Sequence, residues 1–188
     1  MLEGRLVRLR ALERTDAEKA HRWMNDAELR ELLHGMRYPV SVEDEERWIE
    51  GARSSSFSRV VLAIETEEGV HIGNVELRAV SAEDRRGELG IVIGDKDYWG
   101  KGYGTDAIVT LLRFAFGVMN LHRVWLTTGE DNPRASACYR RCGFREEGRL
   151  RQDRYLGGRY WDTIVMGVLR EEFEVAHASG ASEEVRGD

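Results

Sequence analysis

Three glycines in five residues, Gly100-Lys101-Gly102-Tyr103-Gly104, stand directly ahead of the most strongly amphipathic stretch of the chain. In that stretch Ile108, Leu111, Leu112, Ala115, Phe116 and Met119 recur at steps of 3, 1, 3, 1 and 3 residues, which gives a helix one wide apolar face. Upstream, Ile91-Val92-Ile93 reads as a strand. A strand, a glycine loop and an amphipathic helix in succession imply a sheet for the helix to cover. They also make an anion site: glycines let backbone amides turn inward without a Cβ in the way, and the helix N-terminus adds roughly half a positive charge. A pyrophosphate matches this arrangement, with Lys101 as a source of formal charge. A tight turn that uses glycine for geometry alone is the plainer alternative.

Two nucleotide motifs compete for the segment. A P-loop needs lysine and a hydroxyl residue directly after its last glycine, whereas Lys101 precedes Gly102, and Gly104 is followed by Thr105 and Asp106. Gly102-Tyr103-Gly104-Thr105-Asp106-Ala107 loosely fits a dinucleotide fingerprint, but that motif opens an alternating parallel fold. Here β-branched runs at 59–66, 70–80 and 86–94, separated by short polar turns, read as an antiparallel meander ahead of the loop. This order argues against a dinucleotide-dependent oxidoreductase.

The remaining elements follow from local signals. Residues 5–12 read as a first strand. Thr15 with Glu18 and Ser41 with Asp44 are helix-start pairs, the first for a helix through Trp23 and the second for one ending at Ser54-Ser55-Ser56, with a short helix at 26–34 between them. Residues 122–128 form a further strand. Asn132-Pro133 caps a helix that ends at Gly143, and 144–149 and 160–169 are the last two strands. Beyond about 175 the composition turns to Glu, Ala, Ser and Gly without periodicity, as in a frayed tail.

Size and composition suit one globular domain of 188 residues, 41% of them hydrophobic. A net charge of −6 argues against broad binding to nucleic acid. No run approaches the ~18 apolar residues of a membrane helix, and the start lacks the apolar core of a secretory signal, so a cytoplasmic protein without membrane partners is expected. Cys138 and Cys142, four apart on one helix face, read as packing residues rather than a disulfide, and His21, His34, His71, His122 and His177 show no metal-ligand spacing. No metal is expected.

Glu88-Leu89-Gly90-Ile91-Val92-Ile93, then the loop from Gly100 to Thr105, then Asn132-Pro133 and Tyr139, together resemble the GNAT superfamily of acyl-CoA N-acyltransferases over roughly residues 5–170. Tyr98-Trp99-Gly100 with Asn132-Pro133-Arg134-Ala135-Ser136 has the look of its branch containing the RimJ/RimL ribosomal-protein acetyltransferases, a look shared by several small-molecule acetyltransferases. One departure is Trp99, where the superfamily often has Arg or Gln.

The resemblance implies an α/β (α+β) fold: a strongly twisted mixed sheet of about seven strands, splayed between the fourth, near 87–94, and the fifth, near 122–128, with about four flanking helices. It implies one acyltransferase domain over 1–172, leaving 173–188 as a disordered tail. Acetyl-CoA would be the co-substrate, its pyrophosphate on Trp99, Gly100, Lys101, Gly102, Tyr103, Gly104 and Thr105. Its pantetheine arm would pair with Ile91, Val92 and Ile93, where one amide serves as oxyanion donor, and Asn132 and Ser136 would be further contacts. For Asn132 the alternative is a helix cap alone, and for Ser136 a small residue needed for packing.

The implied reaction is acetyl transfer to a primary amine by direct attack. Tyr139 would protonate or hydrogen-bond the departing sulfur, with aromatic packing as the alternative. Glu88 would act as base through water, against the alternative of an ion pair with Arg85 or Arg86; Asp153 ranks below it. The acceptor would be a protein N-terminus or a small cationic amine, held between the 15–55 helices and the strand near Tyr155 to Trp161. The acidic run Glu43-Asp44-Glu45-Glu46 suits a cation, although carboxylates in a first helical turn also complement its dipole. Trp23, Met24, Tyr38 and Trp48 read first as packing residues. A homodimer is compatible with this reading, and a catalytically silent CoA-binding scaffold remains as a second alternative.

Overall fold

The computed structural model describes residues 1–33, 38–54 and 56–177. His34, Ser55 and the segment 178–188 of the expected tail therefore lie outside the described residues.

Eight strands form one sheet in the order β1-β2-β3-β4-β5-β6-β8-β7, with β1 Leu2–Glu3, β2 Val7–Ala11, β3 Val60–Thr66, β4 His71–Ser81, β5 Arg86–Ile93, β6 Arg123–Gly129, β7 Arg145–Leu156 and β8 Arg159–Leu169. The sheet is antiparallel except between β5 and β6. Among the described residues six helices flank it: α1 Ala17–Met24, α2 Ala27–Leu32, α3 Val42–Ala52, α4 Tyr103–Gly117, α5 Pro133–Arg141 and α6 Arg170–His177.

Two apolar clusters hold the layers together. On one face Ile108, Leu111, Leu112 and Ala115 of α4 meet Leu9, Ile72, Leu77, Leu126 and Met166, all essentially buried. On the other, Trp23 of α1 and Ile49 and Ala52 of α3 pack on Val61 and Ala63. The sidedness follows from period 2 in the strands and 3.6 in the helices. Gly94 is needed at this second layer, because a Cβ there would lie 2.0 Å from the Trp23 ring.

The meander, the glycine loop and the amphipathic helix stand where the sequence places them. Four details differ. The expected start at Thr15 is replaced by Asp16, whose Oδ2 accepts from the Glu13 amide at 2.8 Å in a short 3-10 turn. Strand β1 is added by pairing Leu2 with Leu9. Strand β7 runs to Leu156 rather than 149, ending in a hairpin turn where Gly157 and Gly158 take φ of +60° and +83°. It is the outermost strand, and its mostly exposed residues show no alternation to read. Finally, α6 continues past the boundary expected at 172 and buries Phe173 in the main core.

Candidate active site

The sheet opens where β5 and β6 diverge. Parallel pairing joins Arg86 to Arg123, Gly87 to Val124 and Glu88 to Trp125, and no pair continues it. The Arg85 carbonyl accepts from His122 N–H at 2.6 Å, so the odd-numbered backbone groups of β5 face β6; Gly94 N–H donates to Ile72 on the β4 side. Alternation then turns the backbone of Leu89, Ile91 and Ile93 into the opening. Val92 differs from expectation: its amide and carbonyl face β4, and its side chain faces the cleft. The Ile93 carbonyl is itself engaged, accepting from Trp99 Nε1–H at 2.7 Å.

The loop meets this opening. Gly100 and Gly102 adopt φ of +71° and +94°, a region that non-glycine residues enter only at a cost. Gly102 stands at the start of α4 with no side chain capping the helix, so the first-turn amides have no side-chain partner. The acid of that turn, Asp106, is turned away: its Oδ2 accepts from the Leu6 and Val7 amides at 2.7 and 3.1 Å and ties α4 to β2. The loop thus keeps its positive end for a ligand.

A cleft of about 670 Å³ runs from the loop through the opening. Ile91, Val92, Ile93, Trp99, Gly100, Gly102, Gly104, Thr105, Asn132 and Tyr139 line it. Three expected contacts stand outside this lining: Lys101 is exposed, Tyr103 packs edge-on against Tyr98 at 5.1 Å, and Ser136 is buried, its hydroxyl without a hydrogen-bond partner among the described residues. Asn132 Oδ1 caps α5 by accepting from Ala135 N–H at 3.0 Å, and the residue also lines the cleft.

Tyr139 packs its ring edge-on to Phe144 at 6.1 Å. Burial, followed by the neighbouring Cys138 and Cys142, holds its phenol well above the usual value. Beside it Cys138 packs against the core and also lines the cleft. Its Sγ lies 3.3 Å from Thr105 Oγ1, and hydrogen bonding from Cys142 outweighs burial, with help from Thr105 and Arg141, to draw the thiol below its ordinary value. Cys142 is fully buried in the core. Both cysteines are free thiols.

The acidic groups sort differently from expectation. Glu88 is in an ion pair, but with Arg78 Nη2 at 2.6 Å rather than with Arg85 or Arg86, and it does not line the cleft. Asp153 accepts from Thr163 Oγ1 at 2.7 Å, away from the cleft. One carboxylate that does face the cleft is that of Glu76 on β4. It fills the space opposite Gly90, where a Cβ would lie 3.1 Å from Glu76 Cγ and Oε1. Arg78 Nη1 at 3.0 Å and Arg59 Nη2 at 3.4 Å hold it in place. The alternation Asn74, Glu76, Arg78 against Val75 and Leu77 was the signal that could have found it.

Helix α3 supplies two more acids to the same wall. Glu45 is 5% exposed, has no ion-pair partner among the described residues, and is held above the usual carboxylate value by burial. Asp44 and Trp48 line the cleft beside it, as does Met24 from α1. Trp23 is core, and Tyr38 is exposed. Tyr155 to Trp161 do not line the cleft; they lie at the β7–β8 hairpin, where Trp161 Nε1–H donates to Leu156 O at 3.2 Å.

A splayed sheet, an uncapped glycine loop at its mouth and a tyrosine in the opening define an acyl-CoA-dependent N-acetyltransferase, and the chain belongs to the acetyltransferase (GNAT) family, whose domain matches residues 6–145. It is similar to spermidine N(1)-acetyltransferase of Vibrio cholerae, 32% identical over 165 residues that cover 88% of this chain and 94% of that one. The spermidine N(1)-acetyltransferase of Escherichia coli is 30% identical over 171 residues, covering 91% and 90%. The crystal structure of spermidine N-acetyltransferase from Vibrio cholerae in complex with CoA and spermine superimposes with a TM-score of 0.82 at 29% identity, over 89% of this chain and 98% of that one. The resemblance therefore holds for the family. Among the described residues no helix is long and apolar enough to cross a membrane, and no cluster of acids, cysteines and histidines suits a metal.

Proposed function

We propose that this enzyme acetylates a small cationic amine of the polyamine class by direct attack on acetyl-CoA within a ternary complex. The observation that carries the reading is the acidic wall: Glu45, Asp44 and Glu76 face the cleft whose other end is the glycine loop. A polycation fits such a wall by charge, with Glu45 and Asp44 holding a distal ammonium and Glu76 receiving the one to be acetylated. The spermidine-acetylating relatives support the same class. A protein N-terminus carries a single cationic amine and gains less from several acids.

Bound acetyl-CoA supplies the activated thioester. The residues here divide the remaining work. First-turn amides of α4 at Gly104 and Thr105 hold negative charge at the mouth, and the backbone of Ile91 in the opening provides a donor for developing oxyanion charge. Glu76 orients the acceptor nitrogen and takes its proton, directly or through water. Tyr139, uncharged because burial raises its phenol, offers a proton or hydrogen bond to the departing sulfur. The free thiols Cys138 and Cys142 suit a reducing compartment such as the cytoplasm. Turnover of acetyl-CoA against a panel of polyamines, monoamines, neutral amines and N-terminal peptides, with products identified by mass, tests the reading. Polyamines are expected to lead; turnover with neutral amines or peptides but not with polyamines refutes it.

A further inference from the structure

The loop's own cation, Lys101, is exposed and does not line the cleft, and Trp99 carries no charge. The structure supplies another. We infer that Arg134, stacked on the indole of Trp99, is a phosphate-binding residue for the nucleotide portion of coenzyme A, replacing a cation from the loop by one from α5.

The Arg134 guanidinium carbon sits 4.1 Å from the indole centroid. The platform is fixed from below, because Trp99 packs against the α1/α3 core and donates Nε1–H to Ile93 O at 2.7 Å. Arg134 is fixed from its own helix, since Asn132 caps α5 and Pro133 opens it. Both side chains line the cleft beside Gly100 and Gly102.

Among the described residues Arg134 has no anion beside it, and the other lining arginine without a carboxylate, Arg141, is set against the Cys138 thiol instead. Lys96 also stands over the indole, 5.9 Å from the centroid, but its Nζ contacts Asp26 and Glu28 at 2.7 and 2.8 Å. Arg78, elsewhere in the lining, is occupied by Glu76 and Glu88. Arg134 has neither carboxylate nor hydrogen-bond acceptor among the described residues. A guanidinium seated over an aromatic face leaves its N–H groups free for phosphate oxygens, which it can grip two at a time. Trp99 is therefore a relocation of the loop's cationic function, with the indole as support.

Two phosphates share this chemistry, the pyrophosphate and the 3′-phosphate of the nucleotide. Isothermal titration of wild type, Arg134→Ala and Arg134→Lys with acetyl-CoA and with its 3′-dephospho form distinguishes them. Arg134→Ala is expected to weaken acetyl-CoA by about 10-fold to 100-fold, as for loss of a hydrogen bond to a charged group, and Arg134→Lys by less. An equal loss on both ligands assigns the pyrophosphate; a loss on acetyl-CoA alone assigns the 3′-phosphate. The loss should shrink at high ionic strength, where a phosphate contact is screened. Trp99→Leu should reproduce part of it and add less than independently when combined with Arg134→Ala. Unchanged affinity for both ligands in a normally melting Arg134→Ala protein overturns the inference, as does a loss indifferent to salt.

Discussion

Tyr139 keeps its proton across the working range, because burial lifts the phenol above its ordinary value of about 10. Rates should therefore show no alkaline limb from this residue below that pH. Tyr139→Phe removes only the hydroxyl and is expected to lower kcat by roughly 10²-fold with acetyl-CoA affinity nearly unchanged; a kcat near wild type, with chemistry rate-limiting, would return the ring to a packing role. Glu76→Gln keeps the shape opposite Gly90 and deletes the charge. For a cationic acceptor, kcat/KM should fall by about 10-fold or more, while acetyl-CoA titrates as before. At this scale the sequence shows donors and glycines better than acids. Tyr139 and Asn132 are marked by their place after a capped helix start, whereas the choice between Glu88 and Glu76 depends on which face of the sheet meets the cleft. That face is fixed only by the packing of α1 and α3 on one side and α4 on the other.

Among the elements, the strand-loop-helix unit is the most legible, since the residues that need positive φ are glycines and the helix carries an unbroken apolar stripe. Its glycines are not equivalent. At Gly104 a Cβ meets only Ile93 Cγ1 at 3.6 Å, so Gly104→Val should fold normally and obstruct the anion site, weakening acetyl-CoA strongly. At Gly102, with φ of +94°, a valine also strains the backbone and should cost about 1–2 kcal/mol of stability. Thermal melting beside ligand titration separates the two effects; equal melting of both variants would contradict the difference in backbone conformation. Strand β7 was legible only in its first half and α6 not at all. One lies at a solvated sheet edge, where side-chain alternation has no burial to record, and the other anchors through a single buried residue, Phe173, in a segment otherwise composed like a tail.

For the whole molecule, a partly buried ionic network joins β2, the 3-10 turn, β3 and β4. Arg10 donates to Asp16 at 2.8 and 2.9 Å and to Glu65 at 2.6 Å, and His71 Nδ1 lies 3.2 Å from Asp16 Oδ1. Burial alone would raise the Asp16 carboxyl, but hydrogen bonds from Arg10 and the Glu13 amide, with the His71 ring close by, outweigh it and hold the group well below the usual range. A carboxyl depressed in the folded state stabilises above its unfolded value, near 3.9, and loses that contribution as pH falls below it. Wild type should therefore destabilise steeply in acid. Asp16→Asn should cost on the order of 3 kcal/mol at neutral pH and flatten the acid limb of denaturant midpoints, whereas an unchanged limb would place the acid sensitivity elsewhere. The divergence of β5 and β6 has a mechanical consequence as well. Three residue pairs are the hinge between two half-sheets, and past them the backbone of Leu89 and Ile91 is an internal edge, facing a gap in place of a neighbour. A ligand threaded there substitutes for a missing strand, so donor binding should slow amide hydrogen exchange in β5 and β6 alike and raise the melting temperature with the logarithm of donor concentration. Substrate supply, on this view, sets how firmly the protein's own sheet is closed.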